Sequence, residues 1–229
     1  MIKIQMKIRK PLCRHMMVFI LLFLFWAGFI FNAEKGSAMS AEKVKELGLD
    51  ADTNRVVCVE SYAATRAVVT MYGRRKDGSW KRMMKTRGYV GTEGVGTASE
   101  WRCVTPRGRY HFTKLFGINP NPGTKRPYIQ LRSTHFWVDD VNSRYYNRFV
   151  DTTKVRKDWN SAENLSACWP DYAYVAAFDY NKDCIPGRGS AFFLHCEAGK
   201  PTQGCISVPK EKMIFILRHL TRHSEIYIA

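Results

Sequence analysis

Two things are scarce in this chain of 229 residues: acidic side chains and closely paired cysteines. There are 20 Asp and Glu against 36 Lys and Arg, a formal charge of +16. A surface so short of acid attracts polyanions, although charge alone also serves solubility. Seven cysteines are present, yet no two stand in a Cys-x2-Cys spacing, which excludes a zinc framework. The stretch Gly88 to Gly96 is glycine-rich but lacks the strand-to-helix setting and terminal Lys-Ser/Thr of a phosphate loop, so it reads as turns. No repeat or low-complexity tract interrupts the chain, and no motif calls for a metal or a cofactor.

What is present begins with a leader. Lys3, Lys7, Arg9, Lys10 and Arg14 stand without an acid before the uninterrupted apolar run Met16 to Phe31, and Gly36-Ser37-Ala38 supplies small residues suited to cleavage. Residues 1–38 therefore read as a secretory signal. The apolar run falls short of the ~20 residues that span a bilayer comfortably, and an uncleaved N-terminal anchor is the alternative. Either way the body is exported, with the basic flank left inside. The body keeps 30 basic and 19 acidic side chains, or +11. Outside a bacterial membrane the polyanions at hand include cell-wall polymers, so nucleic acid is not the expected partner. Of the cysteines, Cys13 lies in the leader and six lie in the body, where an oxidising compartment favours pairing.

Residues 39–54 are polar and read as a spacer. From Arg55 onward the texture is that of short strands. Arg55 to Val59 and Arg66 to Tyr72 are β-branched and apolar, and Asp77-Gly78 marks a hairpin turn before the next extended run. Tyr110 to Phe116, His135 to Asp139, Tyr172 to Tyr180, Ser190 to Cys196 and Glu225 to Ala229 continue the pattern, with a loop holding three prolines from Gly117 to Pro127. Asp158 to Leu165 reads as a helical turn. Met213, Ile214, Leu217 and Leu220 fall at helical spacing within Lys210 to Arg222. Residues 55–229 thus form one mainly β domain, a sandwich or barrel with a short late helix.

The chemistry gathers near the C-terminus. An apolar run ends on His195, a turn rich in Gly and Pro follows, and Cys205 stands directly after Gly204. A thiol beside an imidazole is a nucleophile with its base, and the neighbouring imidazole is expected to raise the thiolate population at neutral pH. Gly204 permits a tight turn whose N–H groups face a developing oxyanion. Cys196 follows His195 directly and should face the other side of the strand.

Ser190-Ala-Phe-Phe-Leu-His195 and Thr202-Gln-Gly204-Cys205-Ile206 together resemble the active-site signature of the L,D-transpeptidase (YkuD-like) catalytic domain, in a Thr-x-Gly-Cys branch. Glu93-Gly94, Thr105-Pro106-Arg-Gly108 and Phe116-Gly117 resemble its Glu-Gly through Thr-Pro-x-Gly loop. Trp137-Val-Asp139-Asp140, Ser143-Arg-Tyr145-Tyr146-Asn147 and Trp159-Asn-Ser161-Ala-Glu163 resemble further segments of one branch. The likeness covers about Arg55 to Ala229. Gln203 stands where better-known members carry a second histidine, and Ser207 where they carry Arg or Asn.

The resemblance implies an L,D-transpeptidase-like fold and transfer of a peptidoglycan stem peptide through a cysteine thioester to an amine acceptor. It implies Cys205 as nucleophile, His195 as base, the N–H groups of Gly204 and Cys205 as oxyanion donors, and a backbone carbonyl near Thr202 to orient the imidazole. Thr202, Arg188, Tyr145, Tyr146 and Trp137 are the candidate substrate contacts. Asp139-Asp140 reads as a turn, with an amine or metal contact as the alternative. Two competing readings remain: a thiol-dependent carboxypeptidase or amidase on the same site, and a non-catalytic basic wall-binding module with Cys205 in a disulfide.

Overall fold

The computed structural model describes residues 38–229. The expected leader, with Cys13, lies outside them except for Ala38. No helix among the described residues is long and apolar enough to cross a membrane.

A four-residue helix, α1 (Ala41–Val44), is capped by Ser40, whose hydroxyl accepts the Lys43 N–H at 3.3 Å. Three antiparallel strands follow: β1 (Arg55–Ala63), β2 (Arg66–Arg74) and β3 (Trp80–Tyr89). Asp77 accepts the Ser79 N–H at 2.9 Å and Gly78 takes φ +80°, which makes the β2–β3 turn expected of Asp-Gly. Residues 39–54, expected as a spacer, are packed down instead. Val44 is buried with Val56, Cys58, Tyr72 and Trp80, and the Met39 N–H donates to Glu60 at 2.6 Å. Val57 and Val59 point to the opposite face, so β1 is covered on both sides. That double burial is why its sequence runs apolar without alternation.

Two short strands, β4 (Val95–Gly96) and β5 (Thr105–Pro106), pair in parallel. Then come β6 (Gly108–Gly117), β7 (Tyr128–Gln130), β8 (His135–Val138), β9 (Arg148–Asp151), β10 (Ala162–Asn164), β11 (Val175–Phe178), β12 (Phe193–Cys196), β13 (Ile206–Val208), α2 (Lys210–His219) and β14 (Ser224–Ile228). The main sheet runs β11-β12-β13-β3-β2-β1-β14-β6-β7. Pairing of β11 with β6 closes eight of these strands into a barrel, which decides between the two architectures expected. Helix α2 buries Met213, Ile216 and Leu217 against the barrel core.

The segment between β7 and β11 forms a separate cap, the three-stranded sheet β10-β8-β9. The helical turn expected over 158–165 is β10 followed by a 3-10 turn at Leu165–Ala167, and Tyr172 stands in a second such turn, Asp171–Ala173, ahead of β11. Between cap and barrel lies a second apolar cluster that includes Phe116, Trp137, Leu165, Tyr172 and Phe193. Strand β12 divides its side chains between the two cores. Leu194 and Cys196 enter the barrel, while Phe193 and His195 face the cap.

Candidate active site

The loop from Glu197 to Cys205 joins β12 to β13, which run parallel with His195 beside Ser207. Gly204 has φ +137°, and a Cβ there would stand 2.8 Å from Phe192 Cε1 and 3.2 Å from the Val104 carbonyl oxygen. Only glycine fits this corner. Thr202 ties the turn: its hydroxyl accepts the Gly204 N–H at 3.2 Å and donates to the Cys205 carbonyl at 2.6 Å. Its own backbone bridges to Val90 and Thr92. Thr202 is thus a support for the loop that carries Cys205. Because it engages the Gly204 N–H, the Cys205 N–H is the remaining member of the expected oxyanion pair.

Cys205 Sγ accepts the Phe193 N–H and donates to the Ala191 carbonyl, both at 3.3 Å. His195 is buried, and its Nδ1 donates to the carbonyl of Cys196 at 2.7 Å. That carbonyl, and not one near Thr202, orients the imidazole; it leaves Nε2 as the nitrogen able to accept a proton. Tyr172 packs edge-on against His195, ring centroids 5.5 Å apart. Burial pushes the Cys205 thiol well above its ordinary range, reinforced by Glu163, and burial holds the His195 imidazole below its ordinary value. Both shifts disfavour the charged forms, the opposite direction to the thiolate expected from sequence.

Two cavities meet at Cys205. One, of about 350 Å3, is walled by Ser99, Glu100, Asp139, Glu163 and Ser190. The other, of about 460 Å3, contains His195, Asp171, Lys200, Thr202 and Ser207. Cys205, Glu163, Tyr172 and Gln203 line both, so Cys205 stands at their boundary. In the first, Asp139 Oδ1 is buried without a hydrogen-bond partner, and burial raises both Glu100 and Glu163. Arg102 also lines it but is paired with Glu93 at 2.9 Å. In the second, Ser207 is 1% exposed and its hydroxyl has no partner. Tyr172 donates to Glu163 at 2.8 Å, and the Cys168 thiol lies 3.6 Å from the same oxygen.

The other expected contacts fall elsewhere. Arg188 is exposed and lines neither cavity. Tyr145 packs on the cap against Trp159, with ring centroids 5.7 Å apart. Trp137 is a core residue, edge-on to Phe193 at 4.8 Å. Tyr146 is buried, donates to Glu100 and accepts the Gly189 N–H at 3.1 Å, so it holds a wall of the first cavity. Of the two adjacent acids, Asp140 is the turn residue, accepting the N–H groups of Asn142 and Asn160 at 2.9 and 2.7 Å, while Asp139 faces the cavity. Glu100, Asp171 and Tyr172 had no signal of a role in the sequence; Glu163 stood in a quoted segment without one.

Away from this site, Asp50, His111 and Glu225 bring potential ligand atoms within 4.8 Å of one another. Arg109 lies among them, 3.2 Å from Glu225 and 3.4 Å from Asp50, so the set is a neutralised ion network. All six cysteines of the described residues are free thiols.

No protein-family model matches the chain, and none of the curated proteins is similar to it in sequence. Among solved structures, it is similar to the crystal structure of the helical cell shape determining protein Pgp2 from Campylobacter jejuni. The identity is 13% and the TM-score 0.42, over 78% of this chain and 48% of that one, so the chain spans about half the length of that structure.

Proposed function

We propose that the chain is a cysteine-dependent acyltransferase that takes peptidoglycan stem peptides outside the cytoplasmic membrane. The observation that carries the reading is that Cys205 and a His195 imidazole locked through Nδ1 open into one cavity. Substrate entry displaces the thiol from the Ala191 carbonyl. His195 Nε2 then takes the thiol proton as sulfur attacks the stem carbonyl carbon, and the Cys205 N–H receives the developing oxyanion. The C–N bond breaks, the imidazolium returns its proton to the leaving amine, and a thioester remains on Cys205. An amine from a second stem attacks that thioester, gives its proton to His195, and the departing thiolate recovers it.

The cavity walled by Glu100, Asp139 and Glu163 favours an amine as acceptor, because an otherwise strongly basic protein presents carboxylates there. Water in place of the amine gives the carboxypeptidase outcome. The free state of Cys205 supports the catalytic reading over the wall-binding one. The test is incubation of the purified protein with muropeptides, with mass spectrometry of protein and products. Cross-linked products with a transient adduct on Cys205 support the reading; a trimmed stem without cross-links supports hydrolysis; unchanged muropeptides with a free Cys205 thiol overturn both.

A further inference from the structure

Beyond the cap side of Trp137 lies a groove of about 460 Å3 that is separate from both cavities at Cys205. Buried Trp137 and Phe178 form its floor, and half-buried Phe149 and Tyr180 its walls. Lys114, Arg148 and Lys182 stand exposed at its rim, and among the described residues none of the three is in an ion pair. The one acid in the lining, Asp179, is already committed, accepting the His111 N–H at 2.7 Å and lying 3.4 Å from its Nδ1. Flat apolar walls below unpaired cations complement a chain of sugar rings that carries carboxylates. The rings offer C–H faces to the aromatics and the carboxylates meet the cations.

The groove also shares its wall with the support of the nucleophile. Asn147 Oδ1 accepts Trp137 Nε1 at 2.9 Å and the Ala191 N–H at 3.2 Å, and the Ala191 carbonyl accepts the Cys205 thiol. We propose that this groove is a binding site for a carboxylate-bearing glycan strand, gripping a stretch whose sugar carboxylates are free of peptide, behind the site where a peptide borne elsewhere on the strand reacts. The identity of the strand rests on the proposed wall substrate. Binding is measured without turnover, so the two readings fail separately.

The experiment is calorimetric titration of the purified protein with peptidoglycan glycan chains stripped of their peptides, with polyglutamate as a polyanion that lacks rings. The wild type is expected to bind the glycan at least ten-fold more tightly than polyglutamate. The pair Arg148→Glu and Lys182→Glu should weaken glycan binding about ten-fold or more. Reversing two exposed charges elsewhere, Lys81→Glu and Lys85→Glu, should change it less than two-fold. Circular dichroism and alkylation of Cys205 should match the wild type in both pairs. Absence of glycan binding by the wild type, equal affinity for polyglutamate, or equal loss in the two charge reversals would each overturn the proposal.

Discussion

The two faces of β12 are equally buried and chemically opposite. Leu194 and Cys196 enter a barrel core of aliphatic side chains, where the nearest polar partner of the Cys196 thiol is the Tyr174 carbonyl at 3.8 Å. One residue away, His195 faces the cap, whose strands and turns bring Glu163, Asp171 and Tyr172 to a polar boundary with Cys205. Burial raises both thiols, Cys196 to about 11 and Cys205 further. Thiol acidity therefore does not set Cys205 apart from Cys196. Lining a cavity shared with His195 does.

The sharpest way to break the comparison is exchange of the two cysteines for alanine. Cys205→Ala should lower turnover by about 10^4-fold or more while the circular dichroism spectrum is kept, since the covalent step goes with the sulfur. Cys196→Ala should keep turnover within about three-fold and lower stability by about 1 kcal/mol, because a small buried group leaves a small cavity. Denaturant titration with activity assays checks both. A dead Cys196→Ala and an active Cys205→Ala would reverse the assignment of the two faces.

His195→Ala should reduce turnover by about 10^2 to 10^4-fold, the range for loss of a positioned base. The pH profile sharpens this. Since burial holds the imidazole below its ordinary value, the base stays unprotonated as pH falls through that value, and the acidic limb of kcat/KM should lie below ~6.5. Since burial raises the thiol, alkylation of Cys205 by a small neutral reagent should rise only above ~8.5. Alkylation that is already fast near neutrality would restore the thiolate pair expected from sequence.

How far these faces could be read from the sequence depends on range along the chain. The strand bearing His195 and the tight turn at Gly204 before Cys205 were legible because they lie within one short string. The β character of the body was legible from its β-branched runs. Closure of the barrel was not, because it depends on β11 meeting β6 and β1 meeting β14 across most of the domain. Glu163 and Asp171 reach Cys205 only through the folded cap, and no local pattern shows which way an acid will face. Arg188 was read from its place before the strand of His195 and Tyr145 from a segment of the resemblance; in the fold Arg188 is exposed outside both cavities and Tyr145 packs on Trp159.

Two smaller perturbations probe the cap-side face. Gly204→Ala forces a Cβ against Phe192 and the Val104 carbonyl at positive φ, and should cost about 1 to 3 kcal/mol of stability together with most activity, measured by thermal melting and turnover. Glu163→Gln removes one carboxylate from the boundary. It should raise KM for an amine acceptor about ten-fold while acylation of Cys205 changes less than three-fold; the ten-fold step corresponds to the ~1.4 kcal/mol of one charge-assisted contact. Equal losses in both steps would make Glu163 a general structural support through Tyr172.

The central claim is that the reacting face of β12 is the one bearing His195, with Cys205 as its partner. It is tested most directly by intact and peptide-level mass spectrometry after mixing the protein with a stem peptide in the absence of an acceptor. The account predicts one thioester adduct per chain, on the peptide containing Cys205, formed at the wild-type rate in Cys196→Ala and at least a hundred-fold more slowly in folded His195→Ala. An adduct on Cys196, or wild-type acylation in folded His195→Ala, would contradict it.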